Sequence, residues 1–299
     1  MTRQTLTSRL GQGLFFVDGA MGTQLIEQGA RAGGCNDMLN LDSPALVRAV
    51  HQRYLDAGVD AVITNTFGAN ALSLGRYGLA DKTYAVNRAG AELARQTAGD
   101  DRYVLGDIGP CGDFLEPLGT ITGQQLLAAF ARQAEGLRDG GVDGFIIETM
   151  TALEEVRTAI AAVRTVSDDL PILVSLAYDA AADGRARTMM GITPAQAVEY
   201  LSPLGIAGLG FNCGTLDMAG YVKLAGDYAA ALKGTGLLLL AEPNAGRPHL
   251  EGDKAVYTLS PDAFALALVQ IRQAGASILG GCCGTSPAHL SAAVQKLTR

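Results

Sequence analysis

The sequence predicts an α/β fold, a (β/α)₈ barrel, on three observations. Short Val/Ile/Leu-rich runs without polar alternation recur along the chain, as they do in parallel strands that are buried on both faces. Helical segments separate these runs, and no linker, low-complexity tract or charge block interrupts the series. Eight β-then-α units in one unbroken chain indicate a single-domain barrel over residues 1–299. A doubly wound open sheet is the alternative.

Eight apolar runs are the predicted strands. In chain order they are Leu14–Val17, Ala61–Thr64, Tyr103–Leu105, Gly144–Ile147, Ile172–Leu176, Ile206–Phe211, Leu237–Ala241 and Ser277–Leu279. A glycine that ends a helix introduces several of them, as in the phrases at residues 57–60 and 140–143. Helix starts are marked by a hydroxyl N-cap followed by proline, and these pairs are Ser43-Pro44, Thr193-Pro194, Ser260-Pro261 and Ser286-Pro287.

Composition restricts the classes of partner. Of the 299 residues, 48% are hydrophobic and 18% are charged, which is enough apolar material for a large core. A net charge of −7 without a Lys/Arg block argues against nucleic acid and anionic membranes. The N-terminus lacks the apolar segment of a signal peptide, and the densest apolar run, Leu237–Ala241, is too short to span a bilayer. We therefore expect a cytoplasmic protein that acts on a small molecule.

Two adjacent cysteines, Cys282 and Cys283, lie between glycines near the C-terminus. Their Cα atoms are ~3.8 Å apart, whereas an unstrained disulfide needs ~4.4–6.8 Å, so a shared metal ion is the better interpretation. Catalytic zinc takes three protein ligands and keeps a fourth position open. The candidates for the third ligand are Cys35, Cys111 and Cys213.

The barrel selects Cys213, because it follows the sixth strand and shares the C-terminal rim with the pair after the eighth. Cys35 and Cys111 fall in loops. We therefore predict that Cys213, Cys282 and Cys283 are metal ligands and catalytic residues. A closed structural zinc site, or three core thiols, is the alternative.

Other polar residues follow the predicted strands, and barrel active sites are built at that face. They are Asp18, Asn65, Thr66, Asp107, Glu148, Asn212, Glu242 and Asn244. The histidines form no metal-binding box, and His51 and His289 are expected at the surface of helices.

The phrases at these strand ends resemble the homocysteine-binding domain family of zinc-dependent S-methyltransferases, and within it the homocysteine domain of cobalamin-dependent methionine synthase most closely. They are residues 18–23, 64–70, 106–110, 211–213, 242–246 and 280–285. The resemblance runs from about Leu14 to the C-terminus. It implies transfer of a methyl group to the thiol of homocysteine, giving methionine, with Zn²⁺ bound by the three cysteines.

The methyl donor is less well defined by the resemblance. Methionine synthase continues into further modules, whereas this chain ends at Arg299. We expect a methyl-corrinoid such as methylcobalamin on a separate protein as donor. S-Methylmethionine or betaine is the alternative donor, and another thiol or selenol the alternative acceptor. A non-catalytic, zinc-holding subunit of a corrinoid complex is a further alternative.

Substrate-binding residues are predicted at the same rim. Asp18 and Glu148 are the natural acceptors for the substrate ammonium, and the resemblance points to the same positions. Backbone N–H groups of Gly19, Ala20 and Met21, at the start of a short helix, are expected to bind the carboxylate. The resemblance also implies that Asn244 supplies an oxygen to zinc when substrate is absent. It leaves the roles of Asp107, Cys35 and Cys111 open.

Overall fold

Eight parallel strands form the barrel in the computed structural model, which describes residues 3–181, 183–251 and 254–298. The strands are β1 Phe15–Phe16, β2 Ala61–Ile63, β3 Tyr103–Ile108, β4 Gly144–Met150, β5 Ile172–Ala180, β6 Gly208–Gly214, β7 Leu238–Glu242 and β8 Ile278–Leu279. Pairing runs β1-β8-β7-β6-β5-β4-β3-β2. The Asp60 N–H donates to the Phe16 carbonyl at 2.8 Å, which joins β1 to the start of β2. The predicted barrel is confirmed, and every predicted run overlaps one of its strands, although five of the strands extend beyond the predicted C-terminal end.

Helices alternate with the strands, as predicted. They are α1 Leu6–Leu10, α2 Met21–Glu27, α3 Leu39–Asp42, α4 Pro44–Asp56, α5 Ala71–Gly75, α6 Thr83–Ala98, α7 Gly123–Asp139, α8 Leu153–Arg164, α9 Pro194–Leu201, α10 Met218–Ala231, α11 Pro261–Ala274 and α12 Pro287–Leu297. Each of the four hydroxyl–proline pairs precedes a helix, although the Ser43 side chain makes no capping bond. Short strands at 186–187, 249–251 and 254–256 lie outside the barrel. Within the described residues, no helix has the length and apolarity to cross a membrane.

Apolar side chains fill the N-terminal half of the barrel. Leu6 and Leu10 of α1 close this end and pack with Phe15, Tyr103 and other strand residues in one buried cluster. A second, larger cluster lies between the strands and the surrounding helices. The polar groups that follow the strands are therefore confined to the opposite, C-terminal end.

His51 and His289 are buried rather than exposed, so their predicted surface positions are wrong. His51 has no exposed surface, and burial lowers its pKa to about 4. It shares a helical face with Val47, Val50 and Tyr54, all fully buried. This spacing of three and four residues indicates a core-facing position and could have been used at the sequence level.

Two aspartates tie the strands together at the N-terminal end. Asp60 accepts from the Phe16 N–H at 2.8 Å and pairs with Arg9 at 2.9 Å. Asp143 accepts from the Val104 N–H at 2.8 Å and pairs with Arg3 and Arg95. Both follow a glycine–valine pair that leads from a helix into a strand. The repeated Gly-Val-Asp segment thus has a structural role at the N-terminal end of the barrel, opposite the polar rim.

We expect Asp143→Asn to destabilise the fold by about 1–3 kcal/mol, because it removes the charge that two guanidinium groups share. Urea unfolding monitored by circular dichroism measures the change. The control is Asp81→Asn, whose side chain is 73% exposed, and we expect it to stay within about 0.5 kcal/mol of the parent. Equal midpoints for the two variants would contradict the structural role of Asp143.

Candidate active site

Three cysteine sulfurs converge at the C-terminal end of the barrel. Cys213 lies near the end of β6, and Cys282 and Cys283 follow β8. Their sulfur atoms all lie within 4.8 Å of one another, and those of Cys213 and Cys283 are 3.8 Å apart. All are free thiols. The structure therefore brings together the three residues that the sequence predicts as a metal site.

Backbone geometry lets the adjacent cysteines reach one point. The Cys282 N–H donates to the Pro243 carbonyl, and the Thr285 N–H donates back to the Cys282 carbonyl, both within 3.1 Å. Gly284 has a φ of 76°, and a Cβ there would lie 2.2 Å from the Tyr257 ring. The chain thus leaves extended geometry after β8, as the flanking glycines predict.

The two remaining cysteines lie apart from this cluster. The Cys35 sulfur is 3.7 Å from Asp37 Oδ2. Cys111 is buried, and its thiol donates to the Asp113 carbonyl at 3.2 Å. Neither belongs to the group whose ligand atoms converge.

Hydrogen bonds stabilise a thiolate within the cluster. Donation from the Cys213 and Cys282 thiols holds the pKa of Cys283 well below its usual range, and the Tyr257 hydroxyl contributes in the same direction. The thiolate, which is the form of cysteine that binds metal ions, is therefore favoured at Cys283, whereas the pKa values of Cys213 and Cys282 are raised by their neighbouring thiols and by burial.

Four carboxyl groups lie at the same end of the barrel. Asp18, Asp107 and Glu242 are at most 3% exposed. Burial raises the pKa of each, and that of Glu148 to about 7. Each of the first three has one buried oxygen without a hydrogen-bond partner in the described part of the chain, namely Asp18 Oδ1, Asp107 Oδ1 and Glu242 Oε2. Unpaired buried carboxyls are costly, so this arrangement suits a cationic or multiply donating ligand.

A cavity of about 620 Å³ connects the thiols with the carboxyl groups. Glu148, Asp107, Glu242 and the three cysteines line it, together with the backbone of residues 19–23. Phe67, Arg76 and Tyr77 also lie on its wall. The cavity therefore brings acidic, thiol and aromatic groups to one space.

Two predicted substrate residues lie outside the cavity lining. Asp18 is almost fully buried and accepts from the Ile63 N–H at 3.1 Å. Asn244 is fully buried, and its Nδ2 donates to the Gly214 carbonyl at 2.8 Å. Asn244 Oδ1 has no hydrogen-bond partner within the described ranges. Both side chains thus keep one unused acceptor atom.

The predicted carboxylate-binding segment lines the cavity, and α2 begins at Met21. The Ala20 N–H already donates to Thr285 Oγ1 at 3.1 Å. Only glycine fits at position 19, because a Cβ there would lie 2.5 Å from Thr285 Oγ1. The N–H groups of Gly19 and Met21 are therefore the better placed donors for an anion.

Four residues around the site had no role in the sequence prediction. Asp107 and Glu242 line the cavity, and Asn212 donates hydrogen bonds behind it. The sequence pattern places all three at strand ends on the active-site face but assigns them no role. Tyr257 reaches Cys283 from the loop after β7, and no sequence signal distinguishes it.

The sequence is similar to a known protein family and to curated proteins over nearly its whole length. The family model described as homocysteine S-methyltransferase matches residues 15–297. The chain belongs to the homocysteine S-methyltransferase family. Methionine synthase of Mycobacterium leprae is 33% identical over 309 aligned positions, covering 98% of this chain and 25% of the relative. Methionine synthase of Mycobacterium tuberculosis is 33% identical over 308 positions, covering 97% and 25%. The chain thus spans about a quarter of the length of these relatives.

Two solved structures have the same fold as this chain. The metallated form of the Escherichia coli homocysteine methyltransferase MmuM matches with a TM-score of 0.75 at 24% identity, covering 96% of this chain and 97% of that one. The oxidized form of MmuM matches with a TM-score of 0.76 at 23% identity, covering 99% and 100%. At these identities the likeness concerns the barrel itself.

The raised pKa of Glu148 predicts a pH-dependent stability. Its ordinary value is 4.5 and its value in the fold is about 7, so the folded state binds more protons between these limits. The free energy of unfolding should therefore fall as pH rises through this window, by up to about 3 kcal/mol from this group.

Urea unfolding of the metal-free protein at pH 5, 6 and 7 measures the slope. We expect Glu148→Gln to make the slope shallower by the contribution of this one group, since Asp18, Asp107 and Glu242 also have raised pKa values. The control is Glu92→Gln, which changes a partly exposed helical residue and should keep the parent slope. An unchanged slope in Glu148→Gln would show that Glu148 titrates normally.

Proposed function

We propose that this chain is a zinc-dependent homocysteine S-methyltransferase that forms methionine. The observation that carries the proposal is the convergence of three thiols and three carboxyl groups, those of Asp107, Glu148 and Glu242, on one cavity. Family membership supports the reaction class. We further propose that residues 1–299 form one homocysteine-binding barrel domain, of which the family match covers 15–297.

The donor set fits zinc. A tetrahedral ion with Zn–S bonds of ~2.3 Å places its sulfur ligands ~3.8 Å apart. The Cys213 and Cys283 sulfurs are separated by 3.8 Å, and all three sulfurs lie within 4.8 Å. The cysteines also line the cavity, so a fourth coordination position would face substrate. When bound, zinc would lower the pKa of the substrate thiol and supply a thiolate at neutral pH.

The chain's own residues would orient the amino acid. We propose that Glu148 and Asp18 accept hydrogen bonds from the substrate ammonium, with Asp107 and Glu242 adding negative charge. The unpartnered oxygens of Asp18, Asp107 and Glu242 support this assignment. The Gly19 and Met21 N–H groups would bind the carboxylate, whereas the Ala20 N–H stays with Thr285.

Asn244 is proposed as a further oxygen donor to the metal when substrate is absent. Its Oδ1 is buried and has no hydrogen-bond partner among the described residues. The next residue, Ala245, donates its N–H to the Cys283 carbonyl at 3.0 Å, which places this segment beside the cluster. Displacement by the substrate sulfur would then leave the ligand count unchanged.

The identity of the methyl donor stays a proposal as well. We favour a methyl-corrinoid, carried by a separate protein, because the strand-end phrases resemble cobalamin-dependent methionine synthase and the curated relatives are methionine synthases. S-Methylmethionine and betaine are the alternatives. The open, cavity-facing side of the cysteine cluster argues against a purely zinc-holding subunit. A cytoplasmic location, and the absence of nucleic-acid and membrane partners, also stay predictions.

Zinc binding and thiol ligation can be tested together. We expect one zinc per chain and release of about one proton per site when homocysteine is added at constant pH. The Cys213→Ser variant should bind no zinc and release no proton, because it lacks one of the three converging ligands. Cys111→Ser is the control, since that thiol lies outside the cluster and should leave both values unchanged. Full proton release by Cys213→Ser would exclude the proposed ligand set.

A panel of methyl donors tests which compound supplies the methyl group. Methylcobalamin, a methylated corrinoid protein, S-methylmethionine, betaine and methylfolate are each offered with homocysteine, and methionine is quantified. We expect the corrinoid donors alone to give methionine. Turnover with S-methylmethionine alone would overturn the corrinoid assignment while leaving the acceptor intact. No methionine with any donor, from protein that binds zinc and releases the proton, would favour the zinc-holding subunit.

A further inference from the structure

Asn212 lies between the thiol half and the carboxyl half of the site. Its side chain is fully buried. Its Nδ2 is 2.7 Å from Glu148 Oε2, 2.7 Å from Thr149 Oγ1 and 3.6 Å from Cys282 Sγ. An amide nitrogen carries two hydrogens, so its two N–H bonds are shared among three acceptors. One side chain therefore contacts both a proposed ammonium acceptor and a proposed metal ligand.

The orientation of this amide is fixed from the opposite side. Asn212 Oδ1 accepts from the Thr149 N–H at 2.8 Å and from the Ser175 hydroxyl at 2.9 Å. A backbone N–H can only donate, so the oxygen must face Thr149 and the nitrogen must face Glu148 and Cys282. Ser175 is fully buried as well. Rotation of the amide would leave several buried groups without partners, which is unfavourable.

The two strand ends that Asn212 joins are both strained. Thr149 has a φ of 61° and Cys213 a φ of 52°, and they are the only non-glycine residues with positive φ among those described. Such a conformation costs of the order of 1–3 kcal/mol and is least favourable for a β-branched residue. The pairing of β4 with β5 also shifts register between Ile147 and Met150. Asn212 makes two hydrogen bonds to Thr149, which stabilise the strained end of β4, and it directly precedes Cys213.

We propose that Asn212 is a positioning residue that sets the distance between the ammonium-binding Glu148 and the metal-binding Cys282, and thereby couples the two binding events. This inference rests on the function proposed above. A substrate ammonium on Glu148 is then held at a defined separation from the thiols. The site would therefore bind a thiol that carries an ammonium group more tightly than the same thiol without one.

Two binding measurements test the coupling without turnover. The first is the Co²⁺ dissociation constant, from competition with a chelator. The second is the ratio of affinities for homocysteine and for 4-mercaptobutyrate, which lacks the ammonium. We expect Asn212→Ala to weaken Co²⁺ binding about 10- to 100-fold, as loss of an outer-shell hydrogen bond does. The affinity ratio should fall about tenfold, because the charged acceptor loses a hydrogen bond.

Asn87→Ala is the matched control. Asn87 is also fully buried, and its Nδ2 donates to the Ala69 and Thr83 carbonyls at 2.8 and 2.7 Å, outside the cavity lining. It should lose stability but keep the parent values of both binding measurements. If Asn212→Ala does not fold, Ser175→Ala decides, because it keeps the amide and removes one of the two donors to Oδ1. It should shift both values in the same direction by a smaller factor.

The outcomes separate this inference from the function on which it rests. Failure of the parent protein to bind Co²⁺ would overturn the proposed metal site. A parent protein that binds Co²⁺ normally, with an Asn212 or Ser175 variant that matches it in both measurements, would overturn the coupling alone. A weaker Co²⁺ affinity with an unchanged affinity ratio would also overturn it, since that result shows support of the metal site only.

Discussion

Buried carboxyl groups with unsatisfied oxygens at one end of the barrel are the constraint on which the site depends. Asp18, Asp107 and Glu242 are almost fully buried, and each keeps an oxygen without a partner in the described part of the chain. Burial of this kind is unfavourable until a ligand supplies positive charge or hydrogen-bond donors. The apolar cluster at the opposite end, closed by α1, offsets this cost. Stability and binding are therefore assigned to different ends of the same eight strands.

The barrel also explains how residues so far apart in sequence meet. Parallel strands bring all their carboxyl ends to one rim, so Cys213 and Cys282 become neighbours although 69 residues separate them in the sequence. Regular strands alone would not point the three sulfurs at one position. That requires the left-handed backbone at Cys213 and the turn around Gly284. Local strain at the rim is thus part of what makes the cluster possible.

The barrel and the three cysteines could be predicted from sequence because their signals are local. Buried runs such as Ile172–Leu176 show no polar alternation, and the Cys282-Cys283 pair is unusual by itself. Which side chains share hydrogen bonds could not be predicted in this way. Tyr257 reaches Cys283 from an irregular loop, and the Ala20 N–H is occupied by a hydroxyl 265 residues away in the sequence. These contacts depend on loop paths that carry no periodic pattern.

The parts of the cavity also differ in whether the sequence pattern predicts them. The thiols and carboxyl groups lie at strand ends, where the hydrogen-bonded sheet sets their positions. Short sequence motifs at these strand ends allow the positions to be predicted. The outer wall of the cavity is different, because Phe67 and Tyr77 belong to connections between β2 and α6 and are 43% and 55% exposed. Side chains in connecting segments vary more readily than those fixed by a sheet. The groups proposed to bind the acceptor are therefore recognisable in the sequence, whereas the outer wall of the cavity is formed by loops that the strand-end phrases do not specify.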